Sequence, residues 1–458
     1  MTKTTADGVI GEPETSSRRA SGRAEAPAVP IGPDELIDAY RRVRGVTELL
    51  CEPLGTEDYV IQTMPDVSPT KWHLAHTTWF FEQFILQDHS PGRYEPVNSL
   101  YDYLFNSYYN AVGPRHCRPR RGLISRPTVQ EVLEYRRIVD DRIGRLLQCP
   151  DGAILETIAP LITLGIQHEQ QHQELMITDI KHVFSSNPLL PAYRENEPDC
   201  GETAVVPLSM DWVDVPEGVY EIGTNAPKNG RPFAYDNETP RHRVFLEPFR
   251  LATCLVRNAE FLQFIQDGGY QRPEHWLSFG WATVTAEKCQ RPLYWFREGG
   301  DAGPWLQYTL AGAREIDPGE PVCHLSYFEA DAFARWAGAR LPTEAEWEVA
   351  ASAEPLVGHF ADSLIFHPRQ VSHANPGKLK QIFGDVWEWT SSSYEAYPGF
   401  EPPPGAVGEY NAKFMCNQYV LRGGSCATPV GHVRRTYRNF FPPDARWQFS
   451  GIRLAKDA

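Results

Sequence analysis

The chain has 458 residues, 41% of them hydrophobic, which is enough for two or three domains with sizeable cores. Its formal net charge is −15 and no run of Lys and Arg dominates, which argues against nucleic acid or an anionic membrane surface as a partner. The nine cysteines form no CxxC pair, the N-terminus has no apolar leader segment, and no apolar run reaches the ~18 residues of a membrane span. We therefore expect a cytoplasmic protein with reduced thiols and no membrane partner.

The first half of the sequence predicts a helix bundle behind a disordered tail. Residues 1–32 are poor in large apolar side chains and rich in Thr, Ser, Ala, Glu, Arg and Pro, which is typical of disorder. Four segments with helical periodicity follow, and we expect them to form a four-helix bundle over residues 33–190. Their predicted ranges are 36–50, 68–87, 128–147 and 154–183.

The fourth predicted helix carries a histidine pair with metal-ligand spacing. His168 and His172 are four residues apart, so both lie on one helix face with Cβ atoms about 5–6 Å apart. Two imidazoles at this separation suit one Zn, Fe, Cu or Ni ion, although a polar helix face with two surface histidines gives the same pattern. Gln171 is predicted on the metal side of the helix. Glu174 is predicted to face away and to orient a histidine.

Spacing alone leaves the third metal ligand and the chemistry open. His73 and His76 both lie in the second predicted helix, three residues apart, and apolar residues surround both. Residues 168–172 also match the H-E-x-x-H pattern, in which Glu169 would be the general base of a zinc hydrolase. The sequence lacks the glycine and the third histidine that extend this pattern in one class of such enzymes.

The character of the sequence changes beyond a predicted linker at residues 191–206. Residues 207–458 are rich in Gly, Pro and Trp and contain many short strand patterns. Helices are predicted at 258–266 and 327–337, and another begins at Thr343. A helix bundle followed by a strand-rich domain predicts an α+β architecture.

Eight short motifs occur along both halves, including Ser-Pro-Thr-Lys-Trp-His-Leu-Ala-His at 68–76 and Gly-Asp-Val-Trp-Glu-Trp at 384–389. The others are residues 168–174, 216–223, 238–242, 340–347, 422–425 and 451–454. Their order resembles that of the hercynine oxygenases, the sulfoxide synthases of ergothioneine biosynthesis. The resemblance implies a DinB-like four-helix bundle followed by a formylglycine-generating-enzyme-like domain, which is of the sulfatase-modifying-factor and C-type-lectin-like type.

The resemblance also implies a mononuclear iron site. His76, His168 and His172 would bind Fe(II), with His76 preferred to His73 because it ends the Leu-Ala-His element. Three neutral imidazoles leave three positions for the substrate imidazole, the sulfur donor and dioxygen. The implied reaction joins the sulfur of a thiol to C2 of the hercynine imidazole and gives a sulfoxide.

Roles for two tyrosines and an arginine follow from the same resemblance. Tyr108 and Tyr109 match the tyrosines that the cysteine-using branch carries in its bundle, where they would deliver a proton. The pair favours cysteine over γ-glutamylcysteine as the sulfur donor. Two further alternatives are a selenium compound in place of the thiol and histidine in place of hercynine. Arg118 would bind the carboxylate of the donor, although three more arginines of the 115–121 loop suit the same role.

Hercynine carries a trimethylammonium group, for which aromatic faces and amide oxygens are the usual partners. Asn439, Phe440 and Phe441 match the segment that reaches the bundle in the family, and Gln171 would line the same pocket. The resemblance therefore predicts an active site at the junction of the two halves. The zinc hydrolase and a non-catalytic, lectin-like binding module are the alternatives, and metal content distinguishes them.

Overall fold

The computed structural model describes residues 32–148, 152–195, 210–226, 232–300, 303–371 and 377–458. Residues 1–31 of the predicted tail and residues 196–206 of the predicted linker lie outside these ranges. None of the helices within the described ranges has both the length and the apolar character that crossing a membrane requires.

Within the described residues, the N-terminal half contains four long α-helices, as predicted, and one short α-helix. After the second long helix, the chain stays helical through a π-helical turn, Glu82–Leu86, and a final α-helical turn, Gln87–His89. The helices are α1 (Pro33–Cys51), α2 (Thr70–Phe81), α3 (Tyr101–Phe105), α4 (Val129–Gln148) and α5 (Gly152–Ser185).

The ends of these helices follow from local chemistry. Pro33 occupies the first turn of α1 and is followed by Asp34 and Glu35, whose charges favour a helix N-terminus. Thr128 caps α4, because its Oγ1 accepts the N–H of Glu131 at 3.2 Å while the Glu131 carboxylate accepts the N–H of Thr128 at 2.6 Å.

In the described part of the C-terminal half, short strands alternate with four α-helices, which confirms the α+β architecture. The helices are α6 (Asn258–Gln266), α7 (Ser278–Glu287), α8 (Tyr327–Trp336) and α9 (Glu344–Ala351). The strands are β1 (Trp212–Val215), β2 (Gly218–Ile222), β3 (His242–Leu246), β4 (Phe249–Ala252), β5 (Trp295–Arg297), β6 (Trp305–Thr309), β7 (Gly312–Glu315), β8 (Trp387–Ser393), β9 (Tyr419–Arg422), β10 (Asn439–Phe441), β11 (Ser450–Gly451) and β12 (Ala455–Asp457).

These strands form small sheets rather than one large sheet. The four-stranded sheet has the order β10-β9-β8-β11, and its β11 runs parallel to β8. Strand β12 pairs with β4 in the sheet β1-β4-β12. This sheet therefore joins strands from the first and the last part of the C-terminal half. Strand β10 contains Asn439, Phe440 and Phe441, and its position in the four-stranded sheet fixes where these residues lie.

The two halves meet along the C-terminal part of α5 and the segment after it. The N–H of Tyr193 donates to the Leu310 carbonyl at 2.8 Å, and the Tyr308 hydroxyl donates to the Pro191 carbonyl at 2.7 Å. Trp447 of the second half is buried in one apolar cluster with Val67 of the first. Helix α5 therefore carries the histidine pair into the contact region between the halves.

Candidate metal centre and pocket

Three histidines from two helices converge inside the bundle. His76 on α2 faces His168 and His172 on α5, and one ring nitrogen from each lies within 4.8 Å of the other two. The Nε2 atoms of His76 and His168 are 3.2 Å apart. His76 and His168 are buried and His172 is partly buried, so the cluster opens on the side of His172.

A glycine allows the two helices to approach closely at this point. Gly165 lies one turn before His168, and a Cβ atom built on it would lie 2.4 Å from Cε1 of Phe81 on α2. Phe81 follows His76 by five residues, so the ring that fills the space over Gly165 belongs to the helix that carries His76. The absence of a side chain at residue 165 is therefore part of what brings the histidines together.

The structure separates the roles of His73 and His76, which the sequence left open. Nδ1 of His76 is 2.6 Å from the Phe105 carbonyl, so it carries the proton and leaves the Nε2 lone pair directed at the cluster. His73 is not part of the cluster. Its Nδ1 lies 2.9 Å from Nδ1 of His172, and its Nε2 lies 3.0 Å from Oδ2 of Asp179.

The electrostatics of the cluster suit metal binding. Burial lowers the pKa of His168 to about 3, and burial together with the neighbouring histidines lowers the pKa of His76 and of His172 well below the ordinary value. All three rings are therefore neutral near pH 7, and neutral imidazole is the form that binds a metal. Three nitrogen donors suit iron or zinc and leave further coordination positions open.

Glu169 is oriented away from the cluster, which contradicts the role of general base. Its carboxylate accepts from Arg44 Nη1 at 2.9 Å, from Arg136 Nη2 at 2.6 Å and from Thr47 Oγ1 at 2.6 Å. Burial alone would raise the pKa of Glu169, but the two guanidinium groups outweigh burial and lower the pKa to about 2. This carboxylate neutralises two buried cations in the bundle core.

A cavity of about 240 Å³ lies beside the cluster, between the two halves. His168 and His172 line it, so a ligand in the cavity can reach the cluster. Six of the residues predicted from the sequence also line it: Tyr108, Arg118, Gln171, Asn439, Phe440 and Phe441. Tyr109 is fully buried behind Tyr108, and their hydroxyl oxygens are 3.4 Å apart.

Tyr410 also lines this cavity, and it is not among the site residues predicted from the sequence. Its hydroxyl donates to Oε1 of Gln171 at 2.7 Å, and its ring centroid is 5.7 Å from that of His168. Tyr410 lies in a segment of the second half, residues 399–417, whose Pro and Gly content predicts a loop. No local pattern indicates that this loop folds onto the bundle, so only the long-range contact identifies the residue.

Within the 115–121 loop, the structure distinguishes Arg118 from Arg121. Arg118 is exposed and donates to the Asp66 carbonyl at 2.6 Å. Arg121 is buried, with its guanidinium carbon 3.3 Å from the centre of the Trp72 ring, and it donates to Ser68 Oγ. Among the described residues no carboxylate lies within ion-pair distance of Arg121, and burial lowers its pKa well below the ordinary value. An anion entering the cavity would therefore find an uncompensated cation there.

Glu174 contacts the second half rather than a histidine, so the expectation that it orients a histidine is wrong. Its Oε1 accepts from Trp387 Nε1 at 2.7 Å and from Ser425 Oγ at 2.6 Å, and its Oε2 accepts from Thr428 Oγ1 at 2.7 Å. Burial raises the pKa of Glu174, although these three donors oppose that effect. Among the described residues no cation pairs with it, and it lines the cavity.

Comparisons with known proteins identify the domains of this architecture. Residues 39–176 match the DinB superfamily, and residues 201–379 and 358–458 match the sulfatase-modifying factor enzyme 1-like domain. The class is therefore a DinB-type bundle with a cluster of three histidines, joined to a sulfatase-modifying-factor domain.

Relatives with this architecture narrow the class to a family. A hercynine oxygenase of Mycolicibacterium thermoresistibile is 33% identical over 86% of this chain and 88% of its own length. A hercynine oxygenase of Mycobacterium tuberculosis is 31% identical over 93% of this chain and 99% of its own length. Ergothioneine biosynthesis protein 1 of Schizosaccharomyces pombe is 26% identical over 57% of this chain and 33% of its own length. The chain belongs to the hercynine oxygenase family.

Proposed function

We propose that this chain is a non-haem iron oxygenase that joins the sulfur of L-cysteine to C2 of the hercynine imidazole, giving hercynylcysteine sulfoxide in ergothioneine biosynthesis. The observation that carries the proposal is the cluster of three neutral histidines facing a cavity between the two halves. A lectin-like binding module without catalysis would have no need for three converging imidazoles whose pKa values keep them unprotonated.

His76, His168 and His172 are the proposed ligands of Fe(II). Bound there, iron would supply the activation of dioxygen and the oxidation of the donor sulfur. Three protein ligands leave coordination positions for both substrates and for oxygen. The orientation of the donor sulfur towards C2 of hercynine is then set by where the cavity holds each substrate. Zinc fits the same donor set, but the ion pairs of Glu169 remove the base that a zinc hydrolase requires.

The cavity favours a permanent cation as one substrate. Glu174 brings a partly buried carboxylate, which three hydrogen-bond donors hold and which has no cationic partner among the described residues. Phe440 and Phe441 add aromatic faces to the same lining, and a trimethylammonium group interacts well with both features. Asn439 and Gln171 supply amide groups for the rest of hercynine. Hercynine combines this cation with an imidazole that suits the histidine-bound iron.

Arg121 and Arg118 are the proposed partners of the carboxylate of the sulfur donor. Arg121 is the stronger candidate, because its buried guanidinium has no carboxylate partner among the described residues and is already held by Trp72 and Ser68. A small α-amino thiol such as cysteine needs one such site. The alternatives are γ-glutamylcysteine, which is larger than cysteine and carries a second carboxylate, and a selenium donor.

Tyr108, Tyr109 and Tyr410 are the proposed proton donors. Burial raises the pKa of each hydroxyl above its ordinary value, so all three phenols keep their protons at neutral pH. Tyr410 lies beside His168, and the hydroxyl pair of Tyr108 and Tyr109 allows a proton lost by one to be replaced by the other.

The test is a product assay on the full-length chain loaded anaerobically with Fe(II). Hercynine, each candidate donor and air are added, and oxygen uptake and product masses are measured; histidine replaces hercynine in a parallel set. We expect oxygen uptake and the mass of hercynylcysteine sulfoxide with cysteine. A chain that takes up no iron, or consumes no oxygen with any donor, would contradict the proposal.

A further inference from the structure

His73 and Asp179 form a polar chain behind the proposed metal ligand His172. Nδ1 of His172 is 2.9 Å from Nδ1 of His73, and Nε2 of His73 is 3.0 Å from Oδ2 of Asp179. Both His73 and Asp179 are 4% exposed, so water competes little for these contacts. The chain starts on α5, crosses to α2 and returns to α5 about two turns further on.

The direction of these hydrogen bonds follows from the groups at each end. Asp179 is a carboxylate and only accepts, so the proton between it and His73 belongs to Nε2 of His73. Nδ1 of a neutral His73 is then an acceptor, and Nδ1 of His172 must be the donor. The lone pair on Nε2 of His172 is therefore the one left for a metal.

The three proposed ligands are supported unequally. His76 is held by a backbone carbonyl, and Nδ1 of His168 has no hydrogen-bond partner among the described residues. His172, which lines the cavity as His168 does, is held by an imidazole and a carboxylate in series. Such outer partners fix the tautomer and ring orientation of a metal-binding histidine and make it a stronger ligand.

Asp179 is itself held from both halves of the molecule. Its Oδ2 accepts the N–H of Ser68 at 2.8 Å, and its Oδ1 accepts from Trp447 Nε1 at 3.3 Å. Ser68 Oγ in turn accepts from Arg121 Nη1 at 2.9 Å. Through Asp179 and His73, hydrogen bonds therefore connect both Trp447 of the second half and Arg121 of the cavity lining to the proposed ligand His172.

We propose that His73 and Asp179 are positioning residues that hold His172 in the Nδ1-protonated tautomer required for metal binding through Nε2. The inference rests on the proposed function, because it takes the three histidines to be the metal site. The inference adds a role for His73, which the spacing of the histidines alone leaves as a rival of His76 for the third ligand position.

The experiment measures metal affinity on the full-length chain, with Co(II) as a spectroscopic probe and Fe(II) under anaerobic conditions. The variants are Asp179→Asn, which keeps the side-chain volume and an acceptor for Ser68, and His73→Gln. We expect Co(II) and Fe(II) to bind 10- to 100-fold more weakly in both, with altered visible absorption bands of the bound Co(II). Loss of one nitrogen ligand from the Co(II) spectrum in His73→Gln would instead identify His73 as a fourth ligand and overturn the positioning role.

The control is His182→Gln on the same helix. His182 makes a 2.7 Å hydrogen bond to Thr63 and does not line the cavity, so its loss should leave metal affinity unchanged. Trp447→Phe removes one hydrogen-bond donor to Asp179 and leaves His73 and the three proposed metal ligands unchanged. We expect a smaller loss of metal affinity from this variant. This milder variant keeps the proposal testable if Asp179→Asn does not fold.

The outcomes separate this proposal from the proposed function. Unchanged affinity and an unchanged Co(II) spectrum in folded His73→Gln and Asp179→Asn would overturn the positioning role. A wild-type chain that binds one metal and forms no sulfoxide would overturn the proposed function while the affinities of the variants still decide the positioning role. A wild-type chain that binds no metal overturns both.

Discussion

Neighbouring residues on α5 have opposite surroundings. His168 faces the cluster and is kept neutral by burial, whereas Glu169 faces the bundle core and is kept charged by Arg44 and Arg136. The H-E-x-x-H pattern is therefore divided between a candidate site and a structural ion pair. Sequence could not separate these roles, because the partners of Glu169 lie more than thirty residues away.

We expect Glu169→Gln to destabilise the fold. The amide removes the buried counter-charge that Arg44 and Arg136 share and leaves them only Asp140 and the exposed Glu48, which costs about 3 kcal/mol. Urea unfolding followed by circular dichroism measures the change. Glu134→Gln is the control, because Glu134 pairs with Arg137 at the surface, where solvent screens the pair, and its loss should change stability far less. Lost activity at unchanged stability would point instead to a catalytic Glu169.

The same carboxylate makes stability depend on pH in acid. The pKa of Glu169 falls from 4.5 to about 2 on folding, so its contribution is full above about pH 4.5 and is lost as pH falls towards 2. The shift corresponds to roughly 3 kcal/mol. We expect the difference in unfolding free energy between wild type and Glu169→Gln to shrink over that window. A difference that stays constant between pH 5 and pH 3 would show that the pair is not the cause.

Glu174→Gln tests the charge of the cavity. Removing the charge should weaken the binding of hercynine about tenfold, or ~1.4 kcal/mol, relative to an uncharged analogue in which carbon replaces the quaternary nitrogen. Calorimetry on the metal-loaded chain without a donor measures both ligands. Ser425→Ala is the control, because it removes a hydrogen bond to Glu174 and keeps the charge. Equal weakening of both ligands by Glu174→Gln would show a structural role alone.

At the scale of elements, the contact of α2 with α5 depends on Gly165, which has no side chain. A methyl group at residue 165 would overlap the Phe81 ring, whereas one at Gly144 on α4 would meet only Cδ1 of Ile37 at 3.8 Å. Both glycines are in helices, where alanine is otherwise favoured by about 0.5–1 kcal/mol. The two positions therefore give a matched pair with opposite expectations.

We expect Gly165→Ala to lower stability by about 1–3 kcal/mol and to weaken metal binding, because Phe81 and with it α2 must move away from α5. Gly144→Ala should be neutral or stabilising by up to about 1 kcal/mol, with unchanged metal affinity. Thermal unfolding and metal titration of the two variants measure both effects. Equal stability and metal affinity for the two variants would contradict this account of helix packing.

The regular elements were largely predictable from sequence, and the interior contacts between them were not. Asn258–Gln266 was found as predicted, as was the cap at Thr343, because caps and periodicity are local signals. Helix α7, Ser278–Glu287, was missed. The histidine pair on α5 was visible from its spacing, whereas the acceptors and donors around Glu174 and Tyr410 come from distant segments and leave no local pattern.

At the scale of the whole molecule, the segment of residues 399–417 fastens the second half to the tyrosine loop of the first. Glu409 accepts the N–H of Asn110 at 3.0 Å and the N–H of Ala111 at 2.8 Å, and it pairs with Lys413 at 2.6 Å. Lys413 also donates to the carbonyl of Tyr108. The contact holds the loop that carries the proposed proton donors against the same segment that carries Tyr410.

We expect Glu409→Ala to release this loop without unfolding either half. Amide hydrogen exchange at residues 110 and 111 should become about tenfold faster, which corresponds to one lost hydrogen bond of about 1.4 kcal/mol. Exchange read by mass spectrometry measures it. Glu401→Ala is the control, an exposed glutamate in the same segment. If both variants exchange at the wild-type rate, Glu409 does not hold the loop.

The division of the cavity between the two halves has a consequence for redesign. Tyr410 and Phe414 both come from the 399–417 segment, whereas the histidines come from helices that are packed inside the bundle. Exchanging the 399–417 segment for the equivalent segment of a relative changes part of the cavity lining and none of the three histidines. Libraries confined to this segment, with Tyr410, Glu409 and Lys413 kept, are therefore a direct route to new donors or acceptors.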